Sequence, residues 1–112
     1  MSNFGYSGAI LKVDLTQRKT ATSPTSDYAD RFIGGRGMAA KLYWDLVPPH
    51  TRAFDPENCF ICATGPLAGF KRLAGSRWQI CGKSAAMDPQ KFSYANVGGS
   101  FGAWLKFAGY DA

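Results

Sequence analysis

The sequence predicts an α+β fold, in which a β-rich sheet base carries two or three short helices. Apolar residues make up 46% of the 112 residues and charged residues 19%, which is a globular composition. Short segments with a period of two are mixed with segments of helical period, and their order is not a strict βαβ rhythm. A chain of this length forms one domain or part of a larger one.

The first predicted unit is a β-hairpin. Residues 7–15 alternate with a period of two, which predicts a strand buried on one face. The apolar members of this alternation are Ala9, Leu11, Val13 and Leu15. After a polar turn, residues 20–22 return as a second strand that Pro24 ends.

Two helices follow, separated by a glycine-rich segment. Ser26 and Asp27 can cap a short helix that runs to about residue 32. Residues 34–37 (Gly-Gly-Arg-Gly) interrupt it, and a second helix is expected over residues 38–46. The residues that share its apolar face are Met38, Leu42 and Leu46, joined by Ala39 and Tyr43.

Three strands and a last helix are predicted in the second half. Residues 59–63 are wholly apolar, which is typical of a strand buried on both faces, and residues 77–81 and 92–96 are further strands. Gly98 and Gly99 then open an amphipathic helix. Its expected core-facing stripe is Phe101, Trp104, Leu105 and Ala108.

The net charge of +5 is unevenly distributed along the chain. Residues 1–58 have a net charge of +1, whereas residues 59–112 carry six basic and two acidic residues. This excess favours an anionic ligand, such as a phosphorylated cofactor, a nucleic acid or an acidic partner protein. A stand-alone anion- or nucleic-acid-binding module stays open, because Phe70 and Trp78 lie among the bases and could stack on nucleobases.

The three cysteines do not complete a metal site. Cys59 and Cys62 have the spacing of half a zinc or iron–sulfur site, and only Cys81 and His50 could add to it. Because this pair lies inside the most apolar run, core packing is the favoured interpretation. Reduced thiols indicate a cytoplasmic protein, and no uncharged run is long enough to span a membrane.

The most informative binding segment is 96–100 (Asn-Val-Gly-Gly-Ser), between a predicted strand and a predicted helix. Paired glycines let the main chain approach a ligand closely, and a helix start directs N–H groups at it. Arg77, at the mouth of the preceding strand, offers a planar fork for a phosphate or a heterocycle edge. A structural turn with a solvated arginine explains the same pattern equally well. The 34–37 segment is weaker, since a joint between helices or a close backbone crossing explains it.

Seven short motifs run in order along the chain. They are residues 8–15 (GxxLxVDL), 32–37 (FIGGRG), 55–58 (DPEN), 63–69 (ATGPLAG), 75–77 (GSR), 96–103 (NVGGSFGA) and 105–111 (LKFAGYD). Together, with compatible gaps, they resemble the N-terminal part of the aldehyde:ferredoxin oxidoreductases, which are tungsten- or molybdenum-pterin enzymes.

The resemblance implies a binding role for five residues. It implies that Arg77 contacts the pterin, that Asn96 and Gly98 contact pterin and phosphate, and that Val97 and Gly99 belong to the same face. It also implies that the backbone carbonyl of Asn96 helps to hold a magnesium ion between the phosphates of two pterins. A Cβ atom on either glycine would push the cofactor away.

The resemblance further implies that residues 1–112 are the N-terminal pterin-binding fragment of a larger oxidoreductase, without catalytic residues and inactive alone. The implied reaction oxidises an aldehyde to a carboxylic acid. Electrons pass through a 4Fe-4S cluster, whose ligands lie outside these residues, to ferredoxin or an electron-transfer subunit. No nucleic acid or membrane partner is implied, and a homodimer of the full-length protein is a further expectation. In the 68–74 loop, Phe70, Lys71, Arg72 and Leu73 replace the small residues often seen there, which leaves the substrate class open. A catalytic-subunit fragment of an aromatic acyl-CoA reductase of the same family is the alternative, and the Val47-Pro48-Pro49 turn is compatible with it.

Overall fold

The computed structural model describes residues 4–112, which form two small antiparallel sheets and three helices. The elements are β1 (Ala9–Asp14), β2 (Lys19–Pro24), α1 (Ser26–Phe32), α2 (Gly35–Leu46), β3 (Ile61–Thr64), β4 (Trp78–Lys83), β5 (Phe92–Val97) and α3 (Phe101–Phe107). Strands β1 and β2 form the hairpin, and the larger sheet has the order β3-β4-β5. The predicted α+β class is confirmed. Within residues 4–112, no helix has the length and apolar character needed to cross a membrane.

The hairpin is present, but its predicted buried face is wrong. Ile10 is the β1 residue that enters the core, whereas Val13 is 53% exposed and Leu15 84% exposed. The physical reason is that only the first half of β1 meets the rest of the molecule. There the N–H of Asp111 donates to the carbonyl of Ala9 at 2.8 Å.

Asp111 connects the hairpin to the rest of the fold through a buried carboxylate. One of its oxygens accepts hydrogen bonds from the N–H of Ser7 and from Lys106 Nζ, at 3.0 and 2.7 Å. The other accepts from the N–H of Gly8 and from the hydroxyl of Thr25, at 2.9 and 2.7 Å. Each carboxylate oxygen therefore accepts two hydrogen bonds, which compensates the burial of this charged group.

Helix α2 covers one face of the larger sheet and builds the core with it. Its buried residues are Met38, Ala39, Leu42 and Tyr43, as its period predicts, whereas Leu46 is exposed. The helix begins at Gly35, three residues earlier than predicted, because the glycine-rich segment is its first turn. A Cβ atom on Gly34 would lie only 2.8 Å from the carbonyl oxygen of Thr64, so the chains cross closely there.

Strand β3 is shorter than predicted, but its predicted burial on both faces holds, because the neighbours Ala63 and Thr64, on opposite faces, are both buried and Cys62 is half-buried. It begins at Ile61, and Phe60 is 74% exposed. Helix α2 covers one face of β3, and Gly102 of α3 packs against Thr64 on the other. Strands β4 and β5 form as predicted, with slightly longer bounds.

Helix α3 forms where predicted, but its predicted core-facing stripe is wrong. Phe101 and Trp104 are 44% and 66% exposed, Ala108 is exposed, and Leu105 is only half-buried. The buried residues of the helix are Gly102 and Lys106. Gly102 lacks a side chain and therefore packs closely on Thr64 and Trp78, and Lys106 is buried because it pairs with Asp111.

Candidate functional site

Three of the five residues predicted to bind a ligand meet at one end of the β4–β5 ladder. The antiparallel register pairs Trp78 with Val97 and Gln79 with Asn96. Beyond these pairs, Nη1 of Arg77 lies 3.6 Å from the place that a Cβ atom on Gly98 would take. Arg77, Asn96 and Gly98 therefore lie at the same corner of the sheet.

Alternation along the strands divides the predicted site between the two faces. Asn96 lies beside Gln79, whereas Val97 is paired with Trp78, whose side chain faces α3. The indole Nε1 of Trp78 donates to the carbonyl of Gly98 at 3.1 Å, which fixes the start of the turn. The side chain of Val97 is thus directed away from Asn96, and only its backbone belongs to this corner.

Glycine stands at positions 98 and 99 of the turn for two different physical reasons. Gly99 has a φ of +87°, a conformation that L side chains rarely adopt, and open space surrounds its Cβ position. A Cβ atom on Gly98 would make only an ordinary van der Waals contact with Arg77. Nothing within residues 4–112 therefore requires glycine at position 98, which is consistent with close approach of a ligand.

The charge of the corner comes from Arg77. Its side chain is exposed, and the ion pairs formed within residues 4–112 are Lys41–Asp45 and Lys106–Asp111. Lys106 is thereby neutralised inside the fold, so its charge does not contribute to an anion-binding surface. Arg77 keeps its planar set of N–H donors available for a phosphate or a heterocycle.

Gln79 is a residue of this corner that sequence reasoning missed. It is only 8% exposed, and its Nε2 donates to Oδ1 of Asn96. Its Oε1 atom has no hydrogen-bond partner among the described residues. The period of two, counted from Arg77, places Gln79 on the face of Asn96 and could have found it.

Arg36, near the start of α2, belongs to the 34–37 segment, a weaker candidate by sequence in which no role was assigned to Arg36. Its guanidinium carbon lies 4.0 Å from the ring centroid of Tyr94 in β5. Only the register of β5 and the true start of α2 bring these two residues together, so no local signal in the sequence indicates the contact.

The cysteines pack as thiols. Cys81 is buried in the core, Cys59 and Cys62 are half-buried, and within residues 4–112 no group of three metal-ligating side chains occurs. Burial raises the pKa of all three thiols, and that of Cys81 to about 11. They are therefore protonated at neutral pH, which is unfavourable for metal binding. His50 is exposed in a turn.

A separate, open depression of about 240 Å³ lies on the α3 side of the molecule. Its walls include Tyr6, Phe70 and Phe107. Its one charged group, Lys106, is already bound to Asp111 and to the carbonyl of Gly5. The depression therefore does not share residues with the Arg77 corner.

A family model described as aldehyde ferredoxin oxidoreductase, N-terminal domain, matches residues 10–112. The chain belongs to the aldehyde ferredoxin oxidoreductase family. The resemblance carried by the seven motifs is thereby confirmed.

Among curated relatives of this family member, a tungsten-containing aldehyde ferredoxin oxidoreductase of Pyrococcus abyssi is 39% identical over 110 residues. The Pyrococcus furiosus protein of the same name is 36% identical over 113 residues. In both cases the match covers 97% of this chain and 18% of the relative, so the chain spans about a fifth of their length. An aliphatic sulfonate oxidoreductase, WOR-like subunit, of Pyrococcus furiosus is 33% identical over 112 residues, which are 96% of this chain and 17% of that protein.

A solved structure described as the active site complex BamBC of benzoyl coenzyme A reductase with 1,5-dienoyl-CoA shares the fold. The TM-score is 0.89 at 32% identity, over 98% of this chain and 17% of that chain. The α+β arrangement is thus that of the N-terminal region of a related enzyme.

Proposed function

We propose that this chain is the N-terminal domain of a tungsten oxidoreductase and supplies part of the face that binds its bis-pterin cofactor. The observation that carries the proposal is the close approach of Arg77 to Gly98. Packing among the described residues does not require glycine at position 98. An arginine fork beside a position without a side chain suits a flat, anionic group.

The residues of the corner fit a phosphorylated pterin. The orphaned Oε1 of Gln79 is a buried acceptor, which suits an N–H donor of a heterocycle. Arg77 would bind the pterin, and Asn96 with the backbone at Gly98 and Gly99 would contact pterin and phosphate. The backbone carbonyl of Asn96 would contribute to a magnesium site between the phosphates. When bound, the metal-pterin group supplies the two-electron chemistry, and the protein supplies position and electrostatics.

The proposed reaction of the full-length enzyme converts an aldehyde and water to a carboxylic acid, two protons and two electrons, with the protons released to solvent. Two electrons leave through a 4Fe-4S cluster, whose ligands lie outside this chain, to ferredoxin or an electron-transfer subunit. The names of the relatives favour tungsten over molybdenum as the metal. This chain holds no complete reaction centre in the proposal, so it is inactive alone. The full-length protein is further proposed to be cytoplasmic and to form a homodimer.

A second candidate function is the reduction of an aromatic acyl-CoA. The fold similarity to benzoyl coenzyme A reductase supports this candidate. The higher identity to the tungsten aldehyde relatives, 39% against 32%, makes aldehyde oxidation the first candidate. Family membership likewise favours the enzyme over a stand-alone nucleic-acid-binding module. Assays of the full-length protein with an aldehyde and with an aromatic acyl-CoA separate the two reactions.

The binding proposal is tested with Arg77→Ala in the full-length protein, by measuring tungsten and pterin per polypeptide. Both should fall, because the variant loses a charge-assisted contact with the cofactor. Arg52→Ala is the matched control, since Arg52 is an exposed arginine of the loop after α2. Wild-type tungsten and pterin content in Arg77→Ala would remove this corner from the binding face.

A further inference from the structure

We propose that Arg36 is a second anion-binding arginine of the same face, where its guanidinium and the first turn of α2 bind a phosphate group of the cofactor. This inference rests on the proposed function and extends it to a part of the chain for which the family resemblance implied no role. Arg77 and Arg36 would then hold the cofactor from β4 and from α2.

Arg36 lies over the face of the sheet that carries Asn96. Its guanidinium carbon is 4.0 Å from the ring centroid of Tyr94. Tyr94 and Asn96 are two residues apart on β5, so their side chains lie on the same face of the sheet. Arg36 therefore extends from α2 across the strand that leads to the Arg77 corner.

The in-plane N–H donors of Arg36 are available to a ligand. Stacking on an aromatic ring uses the face of a guanidinium and leaves the N–H groups in its plane available. Within residues 4–112, the ion pairs do not include Arg36. Its charge is therefore held in place by Tyr94 without being neutralised.

Helix α2, which has 12 residues, begins without a side-chain cap. Its N-cap residue is Gly34, no side chain caps the first turn, and that turn contains no acidic residue. The N–H groups of a first turn have no partners within the helix and favour an anion. An acidic residue, which would compete with such an anion, is absent from this turn.

An independent observation at the same place is the side-chain oxygen of Gln79, which lacks a hydrogen-bond donor among the described residues. The Cγ atom of Gln79 lies 3.6 Å from the Cβ position of Gly35, the first residue of α2. Its side chain is more than nine-tenths buried, and its Oε1 has no partner among residues 4–112. A buried acceptor without a donor is rare in folded proteins. A ligand that carries N–H donors as well as a phosphate would satisfy both Gln79 and Arg36.

The test uses the full-length holoenzyme with Arg36→Gln, Arg36→Lys and the matched control Arg31→Gln. Arg31 lies over the ring of Phe32 at 5.5 Å, so it is also a stacked arginine, but on α1. The readouts are the rates at which tungsten and pterin are lost during dialysis at high salt, and the melting temperature with and without inorganic phosphate.

Arg36→Gln should lose pterin and tungsten about tenfold faster than the wild type, as expected for the loss of one charge-assisted hydrogen bond. Arg36→Lys should be intermediate, because it keeps the charge and loses the planar fork. Arg31→Gln should behave as the wild type. If Arg36→Gln does not fold, Arg36→Lys decides, with faster release supporting the proposal and wild-type release overturning it.

Three outcomes would overturn the inference in distinguishable ways. Wild-type release from Arg36→Gln, together with loss of cofactor from Arg77→Ala, would overturn the role of Arg36 and leave the proposed function standing. If neither variant changes cofactor retention, the proposed function fails as well. Loss of stabilisation by inorganic phosphate, with unchanged pterin retention, would assign Arg36 to a free phosphate and also overturns the proposal.

Discussion

The Nη1 atom of Arg77 lies 3.6 Å from the position that a Cβ atom on Gly98 would occupy. This distance is an ordinary van der Waals contact, so the fold itself can accept alanine at position 98. The neighbouring Gly99 has a φ of +87°, so its backbone conformation does require glycine. Gly99 is therefore required by the fold, whereas glycine at position 98 is explained by the proposed binding of a ligand.

Gly98→Ala should leave the stability of the full-length protein within about 0.5 kcal/mol of the wild type, as for an exposed site without strain. It should nevertheless lower the pterin and tungsten content, because the new methyl group occupies the surface on which the cofactor is proposed to lie. Chemical denaturation and metal analysis measure the two effects. Normal cofactor content in a stable Gly98→Ala protein would contradict the proposed contact.

Gly99→Ala should show a different pattern, with a loss of stability of about 1–2 kcal/mol, because alanine is strained in the left-handed region. The same denaturation experiment measures this loss. A Gly99→Ala protein as stable as the wild type would show that this turn can relax, and that its φ of +87° is not fixed by the fold.

Asp111→Asn should destabilise the domain by about 3–5 kcal/mol. The substitution leaves Lys106 charged and buried without its partner, which is the costly case for a buried ion pair. Denaturation of the full-length protein measures the change, with Asp45→Asn as the control, because the Lys41–Asp45 pair is partly exposed. Asp45→Asn should cost about 0–1 kcal/mol. Equal losses in the two variants would contradict the anchoring role of Asp111.

The free energy of unfolding should depend on pH because of the carboxyl group of Asp111. Burial raises the pKa of this carboxyl, but hydrogen bonds from Lys106, Thr25, Ser7 and Gly8 outweigh it and lower the pKa below its ordinary value of 3.8. The unfolded chain therefore takes up the proton first as the pH falls. The stabilisation is complete above the ordinary pKa and is lost as the pH falls through the lowered one. Unfolding free energies of the wild type and Asp111→Asn should thus converge below about pH 3.8. A constant difference between them down to pH 2 would contradict this linkage.

Cys81 should be inert to alkylation in the folded protein. It is 2% exposed, and burial raises the pKa of its thiol to about 11, so little thiolate forms at neutral pH. Mass spectrometry after treatment with iodoacetamide at pH 7.5 measures the modified fraction. Cys81 should be modified only on denaturation, whereas rapid modification in the native protein would contradict the described packing.

The helices and strands could be predicted from the sequence where local residue patterns determine them. The hairpin, α1 and the three strands of the larger sheet follow from periodicity and turn residues, and all lie within a few residues of their predicted bounds. The buried faces were less predictable. In α3, Gly102 allows close packing on Trp78, so the aromatic stripe turns outwards, although its spacing is that of a core-facing helix.

The candidate site was predictable in part. Arg77 and the Asn96–Gly99 segment follow from the family motifs, and the structure brings Arg77, Asn96 and Gly98 to one corner. The contributions of Gln79 and Arg36 depend on the pairing of β4 with β5 and on the place where α2 crosses the sheet. Such long-range register is not encoded in any short segment.

The most direct test of the central claim is to locate the cofactor in the full-length holoenzyme. Anomalous diffraction at the tungsten edge, with density for the pterins, measures which surface of this domain they contact. A pterin or its phosphate should lie within hydrogen-bond distance of Arg77 and against the backbone of Gly98. A cofactor bound elsewhere, with the Arg77 corner in contact only with protein or solvent, would contradict that claim.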